Sequence, residues 1–163
     1  MHALTEKDIR ASFVNASQRE RSSLTLPSDL DRIDWEDRDF LGWRDAKYVQ
    51  QGYVVVPVDG APVGILLRES EQRARTRPQC SWCEDVTLPN DVVFFSAKRA
   101  GRAGRNGDTV GTLVCAHFEC TRNVRKLPPL AYPGFDRDAA RQRRIEALRE
   151  SVVGFARDIR DSR

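Results

Sequence analysis

The chain has little of what several chemistries require. Its 163 residues include four cysteines and two histidines. No apolar stretch approaches the roughly 20 residues that a membrane-spanning helix needs, and the opening MHALTEKDIR has no apolar run that could act as a secretion signal. Together these absences make a cytoplasmic protein the expectation. No G-K-S or G-K-T is present, and the glycine spacing fits neither the phosphate-binding loop nor the dinucleotide fingerprint, which excludes nucleotide enzymes of those kinds. Few aromatic residues are interleaved with basic ones, so base stacking is poorly provided for and sequence-specific RNA recognition is not expected.

What is present is concentrated in the cysteines. Cys80 and Cys83 form C-x2-C, Cys115 and Cys120 form C-x4-C, and the stretch between reads as a β-hairpin. Two such pairs suit a tetrahedral Zn2+, because each folds back on the metal and the intervening chain returns the second pair to the first. In a reducing compartment four cysteines read as zinc thiolates rather than two disulfides. Four thiolates close the shell at about 2.3 Å and leave no position for a reacting water. The expected zinc is therefore structural, and its binding energy, on the order of 10 kcal/mol, is folding energy. Letters of the zinc deaminases occur in His117-Phe118-Glu119 and Pro78-Gln79-Cys80-Ser81-Trp82-Cys83. Their order is reversed, the His-x-Glu lies between two competing cysteines, and the proline is one residue too early. Nor can a zinc-held thiolate act as a protease nucleophile. The expectation is a protein that is not an enzyme.

Length favours a single α+β domain over residues 1–163. Within it we distinguish an N-terminal helix plus β-hairpin part (1–72), a zinc module (73–130) and a C-terminal helix (136–160). Thr5 and Asp8 resemble a capping box, so a helix is expected from about Thr5 to Ala16, followed by a polar connection over 17–33. The aromatic cluster Trp35, Phe40, Trp43 calls for core packing. Two β-rich runs, 53–58 and 61–67, flank an Asp59-Gly60 turn, while Pro57 and Pro62 restrict those positions to a strand edge or end. Strands over 92–97 and 109–115, then a short helix after Cys120, complete a knuckle, hairpin and helix in treble-clef order. Asp136 caps a long amphipathic helix whose stripe of Ile145, Leu148, Val152, Phe155 and Ile159 is expected to dock on the protein's own body rather than form a coiled-coil seam, giving a monomer.

Net charge is only +3, but the signs are segregated. Asp29, Asp31, Asp34, Glu36, Asp37, Asp39 and Asp45 make the first third acidic. Arg68, Arg73, Arg75 and Arg77 precede the first cysteine pair, Lys98, Arg99, Arg102 and Arg105 lie between the pairs, and Arg122, Arg125 and Lys126 follow. Such a face attracts phosphates or an acidic protein surface. The glycine-spaced run 98–107 reads as a flexible hairpin tip whose guanidinium groups can reach carboxylate or phosphate bidentately. Direct binding of RNA or the ribosome by the zinc module is the alternative reading, and it would weaken steeply with salt.

The motif DFLGWRD (Asp39 to Asp45), the hairpin YVVVPVDG-PVGILLR, the knuckle C-S-W-C and the closing C-A-H-F-E-C together resemble the elongation factor G-binding proteins, a family that includes the fusidic acid resistance proteins. The likeness covers nearly the whole chain, and the cysteine spacing is its most specific part. It implies a treble clef with zinc on Cys80, Cys83, Cys115 and Cys120. It further implies a protein that docks on elongation factor G through knuckle and hairpin and helps the factor leave the ribosome. The corresponding surface would offer Trp82 as an anchor with Lys98, Arg99, Arg102 and Arg105 around it.

Overall fold

The computed structural model describes residues 1–71, 76, 78–86 and 90–162. Helices α1 (Glu6–Ser12) and α2 (Gln18–Ser23) each start at a complete capping box, Thr5 with Asp8 and Ser17 with Glu20. Helix α1 stops at Ser12, short of the expected Ala16. Phe13 turns extended and bridges Gly64, and Val14 N donates to Gly64 O at 2.9 Å. Five strands follow: β1 (Leu41–Arg44), β2 (Gln51–Val58), β3 (Ala61–Glu69), β4 (Val92–Lys98) and β5 (Thr109–Cys115), with a short helix α3 (Gly101–Arg105) between the last two. Helices α4 (Cys120–Arg125) and α5 (Arg137–Arg160) close the chain.

The strands form one antiparallel sheet in the order β1-β2-β3-β4-β5, so the hairpin of the zinc module is continuous with the sheet of the N-terminal part. Asp59 and Gly60, both at positive φ (52° and 82°), make the tight β2–β3 turn that this dipeptide favours. Pro57 and Pro62 face each other beside that turn. Strand β1 pairs with β2 only as far as Val55, and β4 meets β3 only at Arg68 and Glu69, so each proline sits where its strand is locally an edge.

Period-two alternation divides the core. Val54, Val56 and Val58 with Val63, Ile65 and Leu67 point to one face, where they meet the cysteines, Trp82, Phe95 and the stripe of α5. Tyr53, Val55 and Leu66 point to the other, where they meet Ile9 and Phe13 of α1 and Leu41 and Trp43 of β1. Because both faces are covered, β2 and β3 read as continuous apolar runs although the sheet is antiparallel. Ile145, Leu148, Val152 and Ile159 are buried under the chain's own sheet, as the spacing predicts.

Where β3 and β4 diverge, the chain repairs the ladder with a side chain. Asn15 Oδ1 accepts from Leu66 N at 2.8 Å, while its Nδ2 donates to Leu66 O and Lys98 O, both at 3.0 Å. One amide thus satisfies backbone groups on two strands that cannot reach each other. Among the described residues no helix is long and apolar enough to cross a membrane.

Candidate metal centre

Cys80 and Cys83 flank a tight knuckle. Ser81 N donates to Leu113 O at 2.8 Å and Glu84 N to Cys80 O at 3.0 Å, with Glu84 at φ 52°. Cys115 ends β5 and Cys120 opens α4, so strand and helix each deliver one thiolate of the second pair. All four are buried, and their Sγ atoms lie within 4.8 Å of one another. Cys80 Sγ is 3.7 Å from Cys120 Sγ, and Cys83 Sγ is 3.6 Å from Cys115 Sγ. A tetrahedron with Zn–S bonds of about 2.3 Å has edges of about 3.8 Å, whereas a disulfide requires about 2.05 Å. The four residues therefore fit a structural Zn2+ and not paired sulfurs.

N–H groups surround the sulfurs. Cys83 N donates to Cys80 Sγ at 3.5 Å, Asn90 Nδ2 to Cys115 Sγ at 3.0 Å, and Asn123 Nδ2 to Cys115 Sγ at 3.6 Å. Such donors hold the ligands in orientation and disperse thiolate charge. Sequence reasoning missed both asparagines, although Asn123 lies three residues past Cys120, one helical turn on. Within the bare sulfur cluster, hydrogen bonds from Cys115 and Cys120 pull the Cys80 thiol down, while Cys120 is pushed up. A divalent cation resolves that unequal sharing by taking all four as thiolates.

The loop between the second pair is anchored by Phe118, which sits at φ 58°, an unfavourable region for a side chain of this size. Its ring stacks on Phe95 with centroids 5.5 Å apart. It also lies where two neighbouring strands have no side chain. A Cβ at Gly42 would come within 2.6 Å of Phe118 Cβ, and one at Gly52 within 2.8 Å of Phe118 Cζ. His117 is exposed, and Glu119 Oε2 accepts from its backbone N at 3.1 Å, so neither joins the sulfurs.

The motif Asp39–Asp45 divides its side chains between the metal module and the opposite face of the sheet. Asp39, its side chain 1% exposed, accepts from Arg125 of α4 and from Arg149 Nε of α5 at 2.8 Å. Phe40 packs edge-on against Trp82, and Leu41 enters the opposite core. Trp43 Nε1 donates to Thr25 O at 2.7 Å, and Arg44 lies over the Phe95 ring and pairs with Glu69. Burial pushes the Asp45 carboxyl up, but hydrogen bonds from Tyr48 N, Tyr53 OH and Lys47 N outweigh it and hold the group below its ordinary value.

Two residues expected on the docking surface are placed elsewhere. Trp82 is only 3% exposed and wedges between Phe40 and Phe155, at centroid distances of 5.4 and 5.5 Å. The inner side of the knuckle faces α5, so its indole is core and not an exposed anchor. Arg99 donates to Asp158 Oδ1 at 2.7 Å, to Asp158 O at 2.6 Å and to Ser162 Oγ at 2.8 Å, which fastens the end of α5 to β4. Lys98, Arg102 and Arg105 are exposed. The tip is also not a loose loop: Gly101–Arg105 is helical, and Gly104 is required because a Cβ there would lie 1.8 Å from Arg99 O. Of the arginine-rich lead-in, Arg68 is described, while Arg73, Arg75 and Arg77 lie outside the described residues.

Comparison with solved structures finds a similarity to one described as "Structure of the fusidic acid resistance protein FusC", with 22% identity and a TM-score of 0.46. It covers 64% of this chain and 46% of that chain, so this chain spans less than half the length of that protein. Comparison with curated proteins gives no match. A family model described as "FBP C-terminal treble-clef zinc-finger" matches residues 8–159, a span that holds all four cysteines and both faces of the sheet. Four buried cysteines placed to hold one metal agree with that description, and the chain belongs to the FBP C-terminal treble-clef zinc-finger family.

Proposed function

We propose that this chain is a non-enzymatic adaptor that binds elongation factor G and promotes its release from the ribosome, with zinc holding the binding face in shape. Family membership supports the reading, and a closed tetrathiolate has no vacant position at which a water could be activated. One observation carries it furthest. Arg102 and Arg105 stand exposed on α3 and make no ion pair among the described residues, whereas Arg44, Arg99, Arg125 and Arg144 are all committed to internal partners. Cations held on a rigid turn, with Lys98 beside them, suit an acidic protein surface and speed encounter with it.

The test is direct binding of the zinc-loaded chain to purified elongation factor G by surface plasmon resonance at moderate salt. Binding is expected, with Arg102→Glu/Arg105→Glu weakening it at least about tenfold and mainly through the association rate. Wild-type chain that pulls down ribosomes or RNA but never the factor would overturn the reading.

A further inference from the structure

Helix α1 packs on β3, with Phe13 just after it against Trp43 of β1 and Tyr53 of β2, and among the described residues Phe94, Lys98, Thr109 and Gly111 on the same face of β4 and β5 stay exposed. Alternation places Phe94, Ser96 and Lys98 of β4 on this open face, at steps of about 7 Å along the strand. The register sets Leu113 opposite Phe94, Gly111 opposite Ser96, Thr109 opposite Lys98, and Arg68 of β3 beside Ser96. Phe94 is 43% exposed. A Cβ at Gly111 would lie 2.3 Å from Phe94 Cζ, so the phenyl ring reclines across the glycine and presents its other side outward. From Ser96 toward α3 the face deepens into a groove of about 710 Å3 whose lining includes Asn15, Ser17, Arg68, Ser96, Lys98 and Arg105. Glu20 at its rim pairs with Arg68 at 3.5 Å, and the cations still outnumber it.

We propose that this open half of the sheet binds single-stranded RNA, with a base stacked on Phe94 and the phosphates running past Arg68 and Lys98 toward Arg105. An exposed ring lying flat on a sheet, followed by a line of cations, is what a base and its backbone require. The sequence hid the platform because Phe94 sits in the apolar run Val92-Val93-Phe94-Phe95, where nothing marks it as the exposed member; pairing of β4 with β3 then brings Arg68 beside Ser96 on the same face. Ser96 Oγ donates to Arg68 O at 3.4 Å, which leaves its oxygen as an acceptor for a ribose 2′-hydroxyl and favours RNA over DNA. The site shares Lys98 and Arg105 with the factor-binding reading, while Phe94, Ser96 and Arg68 belong to it alone.

The experiment is fluorescence anisotropy of a labelled, mixed-sequence RNA of about twelve nucleotides with the zinc-loaded full chain, over a salt series. Phe94→Ala is expected to weaken binding at least about fivefold and Phe94→Tyr to restore it. Lys98→Glu should weaken binding and flatten the salt dependence, and Arg102→Glu/Arg105→Glu should leave the Phe94 effect intact. Unchanged zinc content and melting temperature confirm that each variant is folded. Absence of RNA binding at low salt, equal affinity of wild type and Phe94→Ala, or equal affinity for DNA of the same sequence would overturn the proposal. So would a Phe94→Ala chain that loses elongation factor G while keeping RNA, since the face would then be a protein interface.

Discussion

At the scale of single residues, the glycines of the sheet carry as much information as the cysteines. Gly42 and Gly52 lie under the ring of Phe118, and that contact holds the loop between Cys115 and Cys120 against the sheet. Gly52→Ala should cost about 1–3 kcal/mol, since the new methyl meets the packed Phe118 ring rather than a movable chain end. In a Phe118→Ala background the same change should cost much less, because Phe118 Cζ and Cε2, which obstruct it, are gone and only Phe95 Cε1 at 3.2 Å stays close. Urea unfolding of the four chains checks this: equal costs in both backgrounds would mean that the glycine serves the backbone and not the ring. The cysteine ligands were legible from spacing alone, since metal geometry is local and repetitive. Phe118 was not. The glycines it covers lie more than 60 positions earlier, and nothing in C-A-H-F-E-C marks the phenylalanine as a plug. Trp82 shows the converse error: an aromatic in a knuckle looks like an anchor until the helix that covers it is in place.

At the scale of elements, the sequence announced the long C-terminal helix and the strands of both hairpins, while α2 and β1 were missed. Helix α5 starts at the expected Asp136, whose carboxylate accepts from Ala139 N at 2.8 Å, and it runs to Arg160 with its stripe buried. Helix α2 announced itself through Ser17-x-x-Glu20, the same signature as α1, yet its polar residues read as a connection because no apolar stripe follows. Strand β1 is four residues long, too short for alternation to stand out, and is strand only because β2 lies beside it. One position in α5 is open to improvement. Gly154 is exposed in the middle of the helix, and a Cβ there would meet nothing within 4 Å. Gly154→Ala should therefore stabilise the protein by about 0.5–1 kcal/mol through helix propensity and unfolded-state entropy. A fall in melting temperature would show that this surface of α5 carries a contact in solution that the isolated chain lacks.

At the scale of the whole molecule, α5 acts as a strap that ties β2, β3 and the Asp39 segment to the zinc module. Along its length Arg137 Nε donates to Pro128 O at 2.7 Å, Arg144 reaches the buried Asp85 of the knuckle at 2.6 Å, and Arg149 reaches Asp39. Farther on, Arg160 holds Asp59 in the β2–β3 turn at 2.9 Å, and Asp158 holds Arg99. The cysteines belong to the same buried cluster as Val54, Ile65 and Leu148, so the metal is part of the main core rather than an appendage. Structural zinc supplies on the order of 10 kcal/mol, as much as a domain's entire net stability. Chelation should therefore unfold more than the hairpin and knuckle. Strands β2 and β3 serve both cores with alternate residues, so loosening one face removes the backing of the other. In hydrogen exchange, amides of Tyr53–Val56 and Val63–Leu67 are expected to lose protection together with those of β5 when zinc is withdrawn, and to regain it on a single equivalent of Zn2+. If β2 and β3 instead stayed protected in metal-free protein while β5 exchanged, the N-terminal half would be an independent folding unit and the strap would join two domains rather than complete one.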